Sequence, residues 1–246
     1  MSLPLVLLHG FTGSPRSWDG VVRALGEGHE ISTPVLSGHT GLGFANVESF
    51  DDELRRLLTM LREGSTLVGY SLGARVALGL LTLAPERFRA ALLIGVHPGL
   101  RSEAERAERR DADARRARLL RERGLAAFLE EWERQPLFAT QAELPADALD
   151  AQAAIRRSHD AEGLARSLEV MGLGSMPERW TSLSRIELPV TLAAGECDPK
   201  FSELGRLAAA ELPRSRLLLA PSAGHNLPLE RPEWVARTIL TLPEPG

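Results

Sequence analysis

Three residues that could together move a proton follow the ends of three apolar, strand-like segments. The first, Ser71, lies in Gly-Tyr-Ser-Leu-Gly at 69–73, between the apolar run 66–68 and an Ala/Leu-rich segment. A Gly-x-Ser-x-Gly sequence between a strand and a helix predicts a sharp turn that exposes the serine hydroxyl. Glycine at both ends lets strand and helix approach where a Cβ would collide. The alternative, a helix-capping serine after a buried strand, is disfavoured by the residues downstream.

The other two residues are Asp198 and His225, which follow the apolar runs 188–194 and 216–220. Each alone would fit an ordinary turn. Together with Ser71 they supply a base that accepts the hydroxyl proton and a carboxylate that orients this base. The order Ser, Asp, His predicts a catalytic triad, with backbone N–H groups of Phe11 and Leu72 as oxyanion donors.

The elements that must position these residues alternate between strand and helix. Buried strands are predicted at 3–8, 30–35, 66–68, 90–96, 188–194 and 216–220, and helices at 17–25, 47–61, 72–83, 203–212 and 232–240. This alternation predicts an α/β fold with a mostly parallel sheet and helices on both faces. Residues 98–185 interrupt it with helical periodicity and no strand-like run. We therefore predict a core of residues 1–97 and 186–246 and an inserted helical cap of residues 98–185.

The glycine-containing segment 36–43 has glycine at 38, 41 and 43. It lacks the order Gly-x-Gly-x-x-Gly at a helix start and a following lysine, so a phosphate-binding loop is disfavoured. We interpret it as a mobile loop near the site. His39 within it, and His97, are expected to be structural, because the triad is complete without them.

Composition excludes several classes of function. The 246 residues are 43% hydrophobic and carry a net charge of −4, without a dominant block of like charge, which argues against nucleic-acid or membrane partners. No apolar run has the length of a membrane span and no signal-peptide pattern begins the chain, so a cytoplasmic protein is expected. The single cysteine, Cys197, excludes an internal disulfide and a multi-cysteine metal site. We expect no metal or cofactor, and a monomer or weak homo-oligomer.

Arginine placement indicates an anionic substrate. Arg75 follows Ser71 by one helical turn, and Arg106, Arg109 and Asp113 share a helix face at i, i+3 and i+7. Guanidinium groups bind carboxylates bidentately, so this cluster would suit a small polycarboxylate. The alternative for any one cap arginine is a solvated, ion-paired face, since acidic and basic residues nearly balance between 101 and 185. Arg115, Arg116 and Arg118 are assigned to that face.

Several motifs together resemble one family. They are His-Gly-Phe-Thr-Gly at 9–13, Gly-Tyr-Ser-Leu-Gly-Ala-Arg at 69–75, His-Pro-Gly-Leu at 97–100 with Glu-Arg-Ala-Glu-Arg at 105–109, Trp132 with Gln-Pro-Leu-Phe at 135–138, Gly-Glu-Cys-Asp-Pro-Lys-Phe at 195–201 and Ala-Gly-His-Asn at 223–226. The chain resembles the 2-succinyl-6-hydroxy-2,4-cyclohexadiene-1-carboxylate synthases, a menaquinone-pathway family of the α/β-hydrolase superfamily. One departure is the segment 34–39, Pro-Val-Leu-Ser-Gly-His, which replaces an Asp-x-Pro-Gly-His sequence common in relatives and is expected to border the site.

The resemblance implies a lyase in which the triad removes a ring proton and pyruvate leaves without hydrolysis. It also implies that a polycarboxylate substrate contacts residues of both core and cap. Besides Arg75, Arg106 and Arg109, these residues are Tyr70, Trp132, Phe138, Arg156 and Lys200. The alternative is a serine hydrolase, a thioesterase, carboxylesterase or carbon–carbon bond hydrolase, that uses the same triad. A non-catalytic binding module is the third interpretation, which the intact triad disfavours.

Overall fold

Six parallel strands form one sheet in the computed structural model, which describes residues 4–243. The spatial order is β2-β1-β3-β4-β5-β6, and every neighbouring pair is parallel. The carboxyl ends of parallel strands meet at one edge, so the residues that follow β3, β5 and β6 converge there. Leu3, the predicted start of the first strand, lies outside the described residues. The strands are β1 (Pro4–Leu8), β2 (Glu30–Ser32), β3 (Ser65–Tyr70), β4 (Phe88–Ile94), β5 (Val190–Gly195) and β6 (Ser215–Ala220).

Core helices cover both faces of the sheet, because its central strands are apolar on both sides. Phe50 and Leu54 belong to the apolar cluster on one face, and Trp18 and Val235 belong to the cluster on the other. Within the described residues, no helix is long and apolar enough to cross a membrane. The core helices are α1 (Asp19–Leu25), α2 (Phe50–Leu58), α3 (Leu72–Leu83), α7 (Pro199–Glu211), α8 (Leu227–Glu230) and α9 (Pro232–Leu240).

A helical insertion between β4 and β5 lies at the carboxyl edge of the sheet. Its longest helix begins with a capping box, in which Ser102 and Glu105 satisfy each other's backbone N–H groups, and it kinks at Gly124, where φ is +79°. The insertion has its own apolar cluster, with Leu120 and Phe128 against Leu164. The predicted fold class, a parallel sheet with an inserted helical cap, is confirmed. The inserted helices are α4 (Glu103–Glu133), α5 (Ala146–Arg157) and α6 (Ala161–Met171).

Element ends differ from the predicted ones where local chemistry overrides periodicity. β2 ends at Ser32, two residues before Pro34, which has no N–H for a strand ladder. α2 begins at Phe50 because the Ser49 hydroxyl accepts the Asp52 N–H at 3.2 Å. α7 begins at Pro199, earlier than predicted, because the Asp198 carboxylate accepts the Phe201 N–H at 3.3 Å. The predicted triad aspartate is therefore also a helix cap.

Candidate active site

Ser71 lies in a strained turn between β3 and α3. Its φ of 53° and ψ of −107° lie in a backbone region that residues other than glycine rarely adopt. The flanking glycines make this turn possible: a Cβ on Gly73 would lie 2.0 Å from the Leu8 carbonyl oxygen, and one on Gly69 would lie 2.4 Å from the Gly73 oxygen. The turn holds the Ser71 hydroxyl at the carboxyl edge of the sheet.

A hydrogen-bonded chain connects Ser71, His225 and Asp198. His225 Nδ1 lies 2.8 Å from Asp198 Oδ2, and His225 Nε2 lies 3.0 Å from Ser71 Oγ. Because the carboxylate only accepts, Nδ1 carries the proton and Nε2 is left to accept from the serine hydroxyl. This is the arrangement in which a histidine can act as a base toward serine.

The loop that holds His225 is clamped by Glu230, a residue that sequence analysis did not single out. Its carboxylate accepts the N–H groups of Gly224 at 2.7 Å and Asn226 at 3.0 Å. Glu230 is buried. On the other side of the ring, a Cβ on Gly95 would lie 2.6 Å from His225 Cε1. In the sequence Glu230 looks like any acidic residue of a surface helix, so no pattern marks it.

The two backbone amides predicted as oxyanion donors, those of Phe11 and Leu72, have no backbone acceptor among the described residues. Leu72 opens α3, where the first N–H groups have no acceptor within the helix and the helix dipole is positive. Phe11 follows β1, and its N–H donates to no other described residue. The Phe11 ring is held edge-on against Trp132, with 5.1 Å between ring centroids. Both residues line the same cavity as Ser71.

A cavity of about 1020 Å³ lies between the carboxyl edge of the sheet and the inserted helices. That volume suits a small organic molecule. Of the residues predicted for the site, all but one line it. These are Phe11, Tyr70, Ser71, Leu72, Arg75, Arg109, Trp132, Phe138, Arg156, Asp198, Lys200 and His225.

The exception is Arg106, which does not belong to the cavity lining. Its Nε donates to Glu103 Oε2 at 2.9 Å, and its Nη1 donates to the Leu100 carbonyl at 3.0 Å. It therefore fastens the start of α4 to the preceding turn. Sharing a helix face with Arg109 at i and i+3 was not enough to bring it to the site, so we remove it from the candidate contacts.

Arg75 forms no ion pair with a carboxylate among residues 4–243. Its Nη1 donates to the Met171 carbonyl at 2.9 Å. Burial, followed by repulsion from Arg109, lowers the pKa of Arg75 to about 9, with Asp113 acting in the opposite direction. The group is still protonated at neutral pH. A bound anion would therefore be stabilised here, because Asp113 offsets only part of the positive charge of Arg75 and Arg109.

Arg109 is oriented by Asp113 on the same helix. Asp113 accepts from Arg109 Nε at 2.9 Å and from Arg116 Nη1 at 3.3 Å. The terminal nitrogens of Arg109 have no hydrogen bond to another described residue. Arg116, expected on the solvated and ion-paired face, is indeed paired with Asp113 and 34% exposed, but it also lines the cavity, with its guanidinium carbon 5.9 Å from the centre of the Trp132 ring.

Arg156 is the most deeply buried of the candidate arginines, with 7% of its side chain exposed. Its Nη1 donates to Glu133 Oε1 at 3.0 Å, and its guanidinium lies 5.1 Å above the Phe138 ring. On the core side, the Tyr70 ring lies 5.4 Å from that of His225, and burial raises the pKa of the Tyr70 hydroxyl. Lys200 is exposed at the cavity margin.

The segment 34–43 does not behave as expected, because none of its residues lines the cavity. Glu53 accepts both the Ser37 N–H, at 3.0 Å, and the Ser37 hydroxyl, at 2.7 Å, and pairs with Arg56. The buried His39 ring packs between His9 and His159, with centroid distances of 4.9 and 5.3 Å. The segment is therefore tied to the core and to the insertion. It reaches the site only through the His39 ring, which packs edge-on against Phe11 with 5.7 Å between ring centroids.

With this geometry in view, comparison with known proteins identifies the family. The sequence model described as "Alpha/beta hydrolase family" matches residues 5–238. The chain belongs to the α/β-hydrolase family.

The most similar curated relatives point to one group of enzymes within this family. A protein of Bacillus subtilis (strain 168), provisionally named a 2-succinyl-6-hydroxy-2,4-cyclohexadiene-1-carboxylate synthase, is 34% identical over 96% of this chain and 88% of its own length. The synthase of that name from Salmonella newport (strain SL254) is also 34% identical, over 96% of this chain and 91% of its own. The structure of MenH from S. aureus superimposes with a TM-score of 0.92 at 31% identity, covering 97% of this chain and 92% of that one.

More distant structures share the fold alone. A thermophilic esterase from Thermogutta terrifontis has a TM-score of 0.81 at 22% identity, over 98% of this chain and 89% of its own. The resemblance stated from the sequence is confirmed, and so is the prediction of an enzyme. Within the described residues, no group of three or more His, Cys, Asp or Glu side chains could hold a metal ion.

Proposed function

We propose that this enzyme eliminates pyruvate from 2-succinyl-5-enolpyruvyl-6-hydroxy-3-cyclohexene-1-carboxylate and forms 2-succinyl-6-hydroxy-2,4-cyclohexadiene-1-carboxylate in menaquinone biosynthesis. The observation that carries the proposal is a hydrogen-bonded Ser71–His225 pair beside a cavity that also holds Arg75, Arg109 and Arg156. A general esterase has no need of three cations there. The names of the relatives give the product, which carries two carboxylates. The enolpyruvyl group of the proposed substrate adds a third.

The proposed reaction begins with a relayed base. Substrate and product differ by loss of pyruvate from C5 and by a shift from one ring double bond, C3–C4, to two, C2–C3 and C4–C5. The proton that leaves is therefore on C2, where the neighbouring succinyl carbonyl makes it acidic. His225 Nε2 accepts the Ser71 proton and Ser71 Oγ accepts the proton from C2. The C5–O bond breaks, and the released enolpyruvate becomes pyruvate on taking up a proton at carbon.

Negative charge develops on the succinyl carbonyl oxygen as the C2 proton leaves. In this proposal the N–H groups of Leu72 and Phe11 donate to that oxygen. A preorganised pair of amides stabilises the enolate more than the ketone, and only this difference accelerates the reaction. Asp198 keeps the His225 proton on Nδ1 and stabilises the imidazolium.

The arginines bind the carboxylates and the aromatic side chains exclude water. Arg75, Arg109 and Arg156 provide planar groups that match carboxylates, and Lys200 adds a charge at the margin. Trp132 and Phe138 cover the cavity, with 5.9 Å between their ring centroids. Excluding water strengthens these ion pairs and prevents hydrolysis of an intermediate.

Competing assays test the proposal. Pyruvate release from the named substrate is measured beside hydrolysis of an acyl-CoA and of a nitrophenyl ester. We expect kcat/KM for pyruvate release to exceed the other two by orders of magnitude. A preference for the ester or thioester would overturn the proposal in favour of the serine hydrolase.

Mass spectrometry of enzyme quenched during turnover gives an independent result. Elimination needs no covalent bond to Ser71, so the enzyme should keep its unmodified mass. An adduct on Ser71 that accumulates with the named substrate would contradict the relayed-base step.

A further inference from the structure

His97 lies in the turn that follows β4, at the same sheet edge as Ser71, and takes no part in the Ser71–His225–Asp198 chain. Its ring lines the cavity. Sequence analysis assigned His97 to a structural role, because the triad is complete without it. Its hydrogen bonding and its charged neighbours indicate a different role.

The orientation of the His97 ring is fixed. The Gly99 N–H donates to His97 Nδ1 at 3.1 Å, so Nδ1 must be an unprotonated acceptor and the neutral ring carries its proton on Nε2. The turn itself is anchored from residues 179 and 180. The Arg179 N–H donates to the Pro98 carbonyl at 2.7 Å, and Trp180 Nε1 donates to the Gly99 carbonyl at 2.9 Å.

The Nε2–H group of His97 has no hydrogen bond to another described residue. A neutral N–H donor of fixed direction in a cavity is prepared for an acceptor that is not part of the protein. The charged groups nearby favour an anionic acceptor. Three of them are cations, Lys200 on α7, Arg75 on α3 and Arg109 on α4, and one is an acid, Glu105 on α4.

These neighbours also keep the ring neutral in the free enzyme. Burial, then repulsion from Lys200, Arg75 and Arg109, lowers the pKa of His97 to about 4, against a smaller opposing effect of Glu105. The Gly99 N–H, which points at Nδ1, opposes protonation of that nitrogen as well. The ring therefore stays neutral in mildly acidic solution, and its Nε2–H remains the donor.

We infer that His97 is a further substrate-binding residue whose Nε2–H donates to a carboxylate oxygen of the ligand. This inference rests on the proposed function, because it requires a polycarboxylate in the cavity. It adds a neutral donor of fixed direction to the cationic groups.

Two substitutions separate binding from a structural role. His97→Asn places an amide oxygen near the position of Nδ1, where it can still accept the Gly99 N–H, but it removes the donor to the cavity. His97→Gln reaches the position of Nε2 with an N–H donor but gives up the Gly99 bond. We expect KM for the named substrate to rise roughly tenfold or more in His97→Asn and less in His97→Gln. A purely structural His97 predicts the reverse order, which would overturn the inference.

Calorimetry supplies the second readout. The probe is the dicarboxylate 2-succinyl-6-hydroxy-2,4-cyclohexadiene-1-carboxylate, titrated into the enzyme at pH 8.0. We expect Kd to rise roughly tenfold or more in His97→Asn and less in His97→Gln. His29→Asn, a substitution of a histidine outside the cavity lining, is the matched control and should keep the wild-type Kd.

The possible failures differ. If wild-type enzyme binds the dicarboxylate and His97→Asn binds it with the wild-type Kd, the inference is overturned and the proposed function stands. If the dicarboxylate does not bind to wild-type enzyme at all, the proposed substrate class fails, and this inference fails with it.

Discussion

The two sides of the cavity are held in different ways. On the sheet side, Ser71 is fixed by backbone packing so close that a Cβ on Gly73 would lie 2.0 Å from a carbonyl oxygen. On the side of the inserted helices, Arg109 and Arg156 are held by single ion pairs, with Asp113 and Glu133. Glu133 is itself 43% exposed.

This contrast separates chemistry from recognition. A proton relay needs atoms placed within a few tenths of an ångström, and backbone packing provides that. Binding of carboxylates tolerates more movement, since a guanidinium can meet a carboxylate in several ways. Substitutions in the Ser71–His225–Asp198 chain should therefore abolish every reaction of the enzyme, whereas substitutions of the carboxylate-binding arginines should change which substrates it accepts.

The largest expected effect comes from the sheet side. Ser71→Ala, His225→Ala and Asp198→Asn should each lower kcat/KM for pyruvate release by about a thousandfold or more. Asp198→Asn keeps the shape and the cap of α7 but favours the wrong histidine tautomer. Steady-state assays of pyruvate release measure the effect.

The double variant Ser71→Ala/His225→Ala checks that these residues act as a unit. Its kcat/KM should be hardly lower than that of the slower single variant, because either substitution alone already removes the proton relay. Near-wild-type activity of Ser71→Ala would refute the mechanism.

Mildly acidic pH should lower the free energy of unfolding through the buried His9. His9 Nε2 accepts the Leu36 N–H at 3.2 Å, which requires a neutral ring, and burial lowers the pKa of His9 to about 4. The unfolded chain then binds more protons than the folded one between about pH 6.5 and 4, so stability is full above this range and falls through it. For His9 alone the loss is about 3 kcal/mol. Urea unfolding between pH 7.5 and 4.5 measures it.

The control for this prediction is His9→Gln, whose amide oxygen can still accept from Leu36 but does not titrate. Burial also lowers the pKa values of His39 and His159, so part of the acid sensitivity should persist in the variant. Equal slopes of unfolding free energy against pH in wild type and His9→Gln would contradict the assignment.

Gly95 tests how closely the sheet side is packed. In Gly95→Ala the new Cβ would meet His225 Cε1 at 2.6 Å and displace the ring, and we expect kcat to fall by roughly a hundredfold. Gly26→Ala is the matched control, because Gly26 also has positive φ but nothing within 4 Å of its Cβ position. Both variants bear left-handed backbone strain, and only Gly95→Ala should lose activity. Equal activities would show that the ring has room to move.

The sheet side was predictable from the sequence because its determinants are local. Glycines around Ser71, and single residues after β5 and β6, follow from strand and turn patterns. Glu230 escaped prediction because its role depends on a loop that folds back onto it. Nothing in the neighbouring residues indicates that its carboxylate accepts two amides of the His225 loop.

The contacts of the inserted helices were less predictable. Helical periodicity shows which residues share a face of a helix, but it does not show which other part of the protein that face contacts. Arg106 and Arg109 share one face, yet Arg106 bonds to the Leu100 carbonyl and only Arg109 lines the cavity. Arg116 looked like a surface residue in a balanced run of charge, and the packing of Trp132 brings it to the cavity. Distinguishing these residues requires the tertiary contacts of α4, which no local pattern contains.

The smallest expected effects come from the arginines, and they test the contrast most directly. Arg75→Ala, Arg109→Ala and Arg156→Ala should each lower kcat/KM for the polycarboxylate by roughly ten- to a hundredfold, since each loses a charge-assisted contact. Lysine at the same positions should restore only part of the activity, because a point charge cannot reproduce the planar fork. Pyruvate release under substrate-limiting conditions measures both series.

An uncharged ester is the counter-substrate for these variants. Any hydrolysis of a nitrophenyl ester uses Ser71 and the backbone amides but no anion contact, so the arginine variants should leave it nearly unchanged while Ser71→Ala removes it. Arg118, exposed and outside the cavity lining, is the matched control on α4. If Arg109→Ala and Arg118→Ala behave alike on the polycarboxylate, the inserted helices supply only a solvated face. The proposed lyase would then lose its support from the site, because the Ser71–His225–Asp198 chain alone serves an esterase equally well.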